Sequence, residues 1–199
     1  MEGKKLVSGG CNGSFVVKGL LEVYDVCGDE RYLECARNAY EAYFERDMQF
    51  FRCTAGAIDC DSVDKESAFP LIYSGLALWK AMDKKRYLDM AMQSASYFLS
   101  WMFCYDAVYD VDSDFAKMGY FTSGGTAVST EHQCIDPYAS VAIPDLMELF
   151  AVTGETVWKE AAHMIWANVT QCLAGKQGMY FHGMTRPAGA QNECFAQTL

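Results

Sequence analysis

Three segments of the chain carry the same order of apolar and polar positions when aligned on a central turn. They are Leu20–Phe44, turning at Gly28-Asp29, Gly75–Leu99, turning at Asp83, and Leu146–Thr170, turning at Gly154-Glu155. An aromatic residue stands four positions before each turn residue (Tyr24, Trp79, Phe150) and another four after it (Tyr32, Tyr87, Trp158). An alanine follows at the eighth position (Ala36, Ala91, Ala162). Each segment predicts a helix, a tight turn and a second helix. Gly28 and Gly154 suit a left-handed C-terminal cap, and Asp29 or Glu155 then favours the next helix start through its dipole. The second helices show one apolar stripe each: Tyr32, Ala36, Tyr40, Tyr43; Tyr87, Ala91, Ala95, Phe98; Trp158, Ala162, Trp166, Val169. That spacing is amphipathic. The first helices are apolar more nearly all round, so they are expected to be buried on most sides. Pro70 and Pro144 either kink these helices or mark their starts.

A buried helix paired with a half-exposed one, three times over, describes tandem hairpins in a double-layered ring or solenoid. The fold class is all-α, with residues 1–199 as a single domain. The hairpins are unevenly spaced, and long connectors fall at Met48–Lys65, Cys104–Cys134 and Gly175–Gln191. All three lead into first helices, so they are expected to gather at one end, where such a scaffold places binding chemistry.

The connectors hold the polar residues that invite a chemical role. Glu131, His132, Gln133, Asp136 and Tyr138 stand directly before the third apolar run. Asp136-Pro137 reads as a helix start, aspartate capping and proline in the first helical position, so capping accounts for Asp136 better than catalysis does. Glu131 has no such structural excuse and is the first candidate acid or base, with His132 binding substrate or tuning it. Asp59, Asp61, Asp64 and Glu66 precede the second inner helix. Asp61 or Asp64 is the second candidate carboxylate, set against the plainer reading of a solvated acidic loop with one capping aspartate. Tyr180, His182, Arg186, Gln191, Asn192 and Glu193 form a third cluster. In it Arg186 has the planar fork that grips a carboxylate, and Glu193 is either a third carboxylate or a helix-dipole residue. Tyr109 and Tyr120 are the connector aromatics best suited to stack on a sugar ring.

Composition removes other classes. A net charge of −10 without a basic stripe argues against nucleic-acid binding. No apolar window is long enough to cross a bilayer, and the start of the sequence has no signal-peptide apolar core. The 9 cysteines include no CxxC pair, so reduced thiols and a cytoplasmic location are expected. The 3 histidines are far apart in sequence and no HExxH occurs, so neither metal nor cofactor is expected. Gly124-Gly125 lacks the lysine and helix context of a phosphate loop. Cys134 near His132 makes a weak nucleophile candidate.

The three hairpins, with the phrases SGGTAVSTEHQCIDPYA (Ser123–Ala139) and YFHGMTRPAGAQNE (Tyr180–Glu193), resemble the six-hairpin (α/α)6-toroid glycosidases and related bacterial glycan-active enzymes, uronate-active ones included. The resemblance implies a toroid scaffold and an oligosaccharide or polysaccharide substrate. It also implies glycosidic hydrolysis by paired carboxyls, Glu131 with Asp61 or Asp64, and substrate contacts from His132, Tyr138, His182, Arg186, Asn192, Glu193 and Tyr120. A ring of this type closes with six hairpins. This chain supplies three and the apparent start of a fourth at Asn192–Leu199, so it is expected to be half a toroid. That makes it a truncated piece, a fragment of a longer reading frame, or a protomer that self-associates to close the ring. Two alternatives stay open: a lyase or epimerase on the same scaffold, using His132, Tyr138, Arg186 and Asn192, and a non-catalytic module binding glycan or protein.

Overall fold

The structure is a computed structural model and describes residues 11, 13–54, 62–130, 135–171, 179–180 and 184–185. It is all-α in character. The chain divides into two compact units, Met1–Ser100 with Ser129–His132, and Trp101–Val128 with Gln133–Leu199.

The first unit holds two hairpins: α1 (Ser14–Cys27) with α2 (Glu30–Arg46), and α3 (Ala68–Met82) with α4 (Lys85–Leu99). The second holds a third hairpin, α6 (Ile143–Thr153) with α7 (Thr156–Thr170), and a short helix α5 (Asp114–Met118). Its two-residue strands pair antiparallel, β1 (Thr126–Ala127) with β2 (Ile135–Asp136) and β3 (Met179–Tyr180) with β4 (Met184–Thr185). The fourth-hairpin start expected at Asn192–Leu199 lies outside the described residues.

The turns are built as their residues dictate. Gly28 (φ 67°), Asp83 (φ 51°) and Gly154 (φ 74°) each adopt the left-handed conformation. Each returns its N–H to the carbonyl of the aromatic four residues back, Tyr24, Trp79 and Phe150, at 2.7, 2.8 and 2.8 Å. Asp29 caps α2 by accepting the Arg31 N–H at 3.0 Å. Hydrogen bonds from Arg31 hold its carboxyl well below the usual range, at about 2. Glu155 makes no side-chain cap. Asp83 is the one hairpin turn without glycine and bears the steric cost of its Cβ. Asp83→Gly is expected to raise stability by roughly 0.5–1 kcal/mol, read as a higher urea midpoint at unchanged slope; an unchanged or lower midpoint contradicts it.

Both prolines mark starts. Pro70 is the third residue of α3 and Pro144 the second of α6, where no intrahelical N–H bond is lost. The start read at Asp136-Pro137 opens a 3-10 helix, Pro137–Ala142, instead of α6 itself. Pro144 explains the difference, because an α-helix running through it would clash at the carbonyl four residues earlier.

Burial corrects two of the three stripes. In α4 Tyr87, Ala91, Ala95 and Phe98 are buried as expected. In α2 the buried line is Leu33, Ala36, Tyr40 and Phe44, and Tyr32 is exposed. In α7 Ile165 takes the place read for Trp166, which is 62 % exposed. Periods of three and four both fit a 3.6-residue turn, and the packing partner chooses between them. The first helices also differ among themselves. α3 packs against α1, α2 and α4 and is buried nearly all round, through Phe69, Leu71, Ile72, Leu76 and Leu78. α1 buries Val17 and Leu21 but leaves Phe15, Val16, Val23 and Val26 exposed, Val26 at 89 %. It is an inner helix by sequence whose outward stripe stays in solvent.

Candidate functional site

In the first unit the described ends of the connector between α2 and α3, residues 51–54 and 62–66, form a hydrogen-bonded strap ahead of α3. Asp64 donates its N–H to the Cys53 carbonyl at 2.9 Å, and Thr54 pairs with Val63 in an antiparallel bridge. A later stretch joins this ladder. Asp64 bridges to Ser129, and the Thr130 N–H reaches the Val63 carbonyl at 3.0 Å. Two of the acidic connectors singled out from sequence therefore meet through their backbones.

The junction is polar and closed to solvent. Asp64 is 2 % exposed and Lys65 0 %, with Ser62, Ser67 and Ser129 also buried. The Asp64 carboxyl accepts the Glu66 N–H, and the Tyr97 hydroxyl, reaching across from α4, donates to the Asp64 carbonyl. Buried charges persist only when paired or hydrogen-bonded, and neither Asp64 nor Lys65 is without a partner. The reading of a solvated acidic loop thus fails for Asp64, and so does the capping aspartate: α3 has Ser67 at its N-cap with no side-chain cap, and Asp64 holds the Glu66 N–H in the turn before it. Lys65 went unnoticed in the sequence. Its only signal is position, a charge wedged between an acidic loop and the most buried helix.

In the second unit a different connector, Trp101–Gly125, is docked on the last turn of α7. Asn168 donates to the Phe121 and Ser123 carbonyls at 2.9 and 3.3 Å. Gln171 accepts the Phe121 N–H at 3.0 Å and donates to the Phe121 carbonyl at 3.1 Å. The Thr122 hydroxyl accepts the Ala107 N–H and donates to the Tyr105 carbonyl. Asp106 accepts both the N–H and the hydroxyl of Ser123, which lower its pKa. Tyr120 and Tyr109 sit in this loop with Phe115, their centroids 5.3 to 6.3 Å apart. The rings pack on one another, with Tyr109 and Tyr120 half-buried and Phe115 exposed. Tyr138, in the 3-10 helix before α6, is 45 % exposed.

Of the candidate residues, Asp64, Tyr120 and Tyr138 fall within this account. Glu131, Asp61, His132, His182, Arg186, Asn192 and Glu193 lie outside the described residues, as does Cys134. Among the described residues no group of His, Cys, Asp and Glu is placed to hold a metal, and no helix is long and apolar enough to cross a membrane. A groove of about 310 Å³ runs between α1 and α3, lined by Leu21, Tyr24, Asp25, Tyr73, Ala77, Lys80 and Ala81. Its lining is mostly toward the C-terminal ends of the two helices, away from the strap.

No family model and no curated protein matches the sequence. Solved structures do match in fold. A GH76 α-mannanase of Bacteroides thetaiotaomicron is 16% identical, with a TM-score of 0.62, over 97% of this chain and 52% of its own. The α-1,6-mannanase GH76A of Salegentibacter sp. HEL1_6, as an inactive variant with two aspartates changed to asparagine and with α-1,6-mannotriose bound, is 16% identical at a TM-score of 0.59. It is covered over 50% of its length by 87% of this chain. A sugar epimerase from a ruminal bacterium is 13% identical at a TM-score of 0.56, over 87% of this chain and 45% of its own. The chain thus shares the helical-hairpin fold of these solved structures and spans about half their length.

Proposed function

We propose that this chain is part or all of a carbohydrate-active enzyme that hydrolyses glycosidic bonds in an α-mannan-like glycan. One observation carries the reading: Asp64, at the end of the Asp59–Asp64 stretch, is bridged to Ser129, two residues before Glu131 in the sequence. Paired-carboxyl hydrolysis needs two carboxyl groups from different segments brought to opposite sides of one bond. Backbone pairing of Asp64 with Ser129, each close in sequence to one of these carboxyls, supports that kind of convergence. Glu131 would act as acid or base, Asp61 as its partner, and His132, His182 and Arg186 would hold the sugar. The described chemistry gives Asp64 a structural task, so Asp61 is the better second carboxyl.

A second reading rests on a fold neighbour. Proton transfer next to a sugar carbonyl, the chemistry of an epimerase, needs a base and a partner acid, and one fold neighbour is a sugar epimerase.

Incubating the whole chain with α-1,6-mannotriose in ¹⁸O-labelled water tests the first reading. Shorter sugars carrying one ¹⁸O at the new reducing end are expected. A panel of reducing sugars in deuterated water serves the second, where one solvent deuterium enters at the carbon beside the carbonyl and no bond between sugars breaks. Intact sugars in both experiments, with no binding by calorimetry, overturn both readings.

A further inference from the structure

Two cysteines unused by the proposed chemistry lie together where the strap meets α1. Cys11, just ahead of α1, donates its N–H to the Thr54 carbonyl at 2.6 Å and accepts the Ser14 N–H at 2.8 Å. Cys53, next to Thr54, accepts from the Asp64 N–H at 2.9 Å and from the Tyr97 hydroxyl at 3.4 Å. Both side chains are fully buried and both thiols are free, and the 2.6 Å bond from Cys11 to Thr54 sets Cys11 beside the residue that follows Cys53. The Cys11 thiol also donates to Asp47 Oδ2 at 3.4 Å, and Arg46 Nε holds the same oxygen at 2.6 Å.

We propose that Cys11 and Cys53 are a disulfide-forming pair that, in the presence of a low-molecular-weight disulfide oxidant, staples the start of α1 to the strap ahead of α3. With oxidised glutathione the exchange balances. Cys11 gives its proton to Asp47, its sulfur attacks the glutathione disulfide, and one glutathione thiolate leaves. Cys53 then attacks the Cys11 sulfur, losing its own proton, and the second glutathione leaves. One S–S bond forms and one breaks, with the two electrons and two protons carried off as two glutathione thiols. Cys53 is the second nucleophile because the neighbouring Cys11 thiol, followed by burial, holds its own thiol protonated. Burial makes the reaction slow in the native state, proceeding through local opening, whereas exposed Cys27, Cys35 and Cys104 take glutathione directly. The closed pair constrains a loop of roughly 40 residues, long enough to stabilise the fold substantially.

The test uses the whole chain in buffer with excess oxidised glutathione, followed by alkylation, tryptic digestion and fragmentation mass spectrometry. The expected product joins the peptide Leu6–Lys18 to Cys53–Lys65, two hydrogens lighter than the sum, with the bond placed on Cys53 and not on Cys60. Its formation raises Tm by roughly 10 °C, and neither the peptide nor the shift appears in Cys11→Ser or Cys53→Ser. Recovery of both cysteines alkylated after prolonged oxidation, or Cys11 joined to Cys60, overturns the proposal. Because none of these readouts involves sugar turnover, the pair stands or falls separately from the proposed function.

Discussion

Glu131→Gln is expected to leave the chain folded and to lower turnover of its glycan by ~10³-fold, the usual scale for removing one general acid or base. The change keeps size and polarity and removes only the proton the mechanism uses. Its meaning depends on two companions. Asp61→Asn is expected to act in the same way, because Asp61 is assigned the partner role. Asp64→Asn is expected to act on the fold instead, costing about 1–3 kcal/mol, since a buried carboxyl that holds the Glu66 N–H at the head of α3 becomes a neutral amide in a site built for charge. Initial rates and thermal melts on all three variants separate these cases. Full activity in Glu131→Gln, together with a folded but inactive Asp64→Asn, would reverse the two assignments. Loss of rate in all three at unchanged Tm would make Asp64 chemical as well as structural.

How far this picture could be read from residues alone follows the range of the interactions. The hairpin turns were legible because their geometry is local: a left-handed residue returns its N–H four positions back, and Tyr24, Trp79 and Phe150 stood at that spacing. The roles of Pro70 and Pro144 needed only the first-turn rule once the helix starts were known. Which of two neighbouring residues faced inward was not legible, as Tyr32 against Leu33 and Trp166 against Ile165 show, because that choice belongs to the partner helix. Nor was the exposed stripe of α1, whose composition matches that of α3. For the candidate site, only part of the expectation falls on described residues. Connectors that all lead into first helices were expected at one end, and the Asp64–Ser129 bridge joins two of them. Burial of Lys65 and mutual packing of Tyr109, Phe115 and Tyr120 had no periodic signature, since irregular chain carries none. A long loop with its own hydrogen-bond partners and its own ring cluster looks from sequence like any polar connector.

Gly124→Ala is expected to destabilise the second unit by roughly 3–5 kcal/mol, the sum of two separable costs. Gly124 has φ 83°, which an L side chain resists. An added Cβ would also stand 2.1 Å from the Met164 carbonyl oxygen, backbone of α7 that cannot rotate aside. The loop would have to lift off the helix, loosening the grip of Asn168 and Gln171 on Phe121. Gly119 isolates the first cost, since its φ is 66° with nothing within 4 Å of an added Cβ. Gly119→Ala is therefore expected to cost only about 1 kcal/mol, and the difference between the two variants measures how closely the loop approaches α7. Urea unfolding followed by tryptophan fluorescence gives both values, and amide exchange gives the location. In Gly124→Ala the Phe121 N–H, held by Gln171, should exchange much faster, while the Gly154 N–H in the hairpin turn should change little. Equal costs for the two substitutions would mean that the loop is not seated on the helix backbone. The glycine pair read in the sequence as a failed phosphate loop would then need another explanation than close approach.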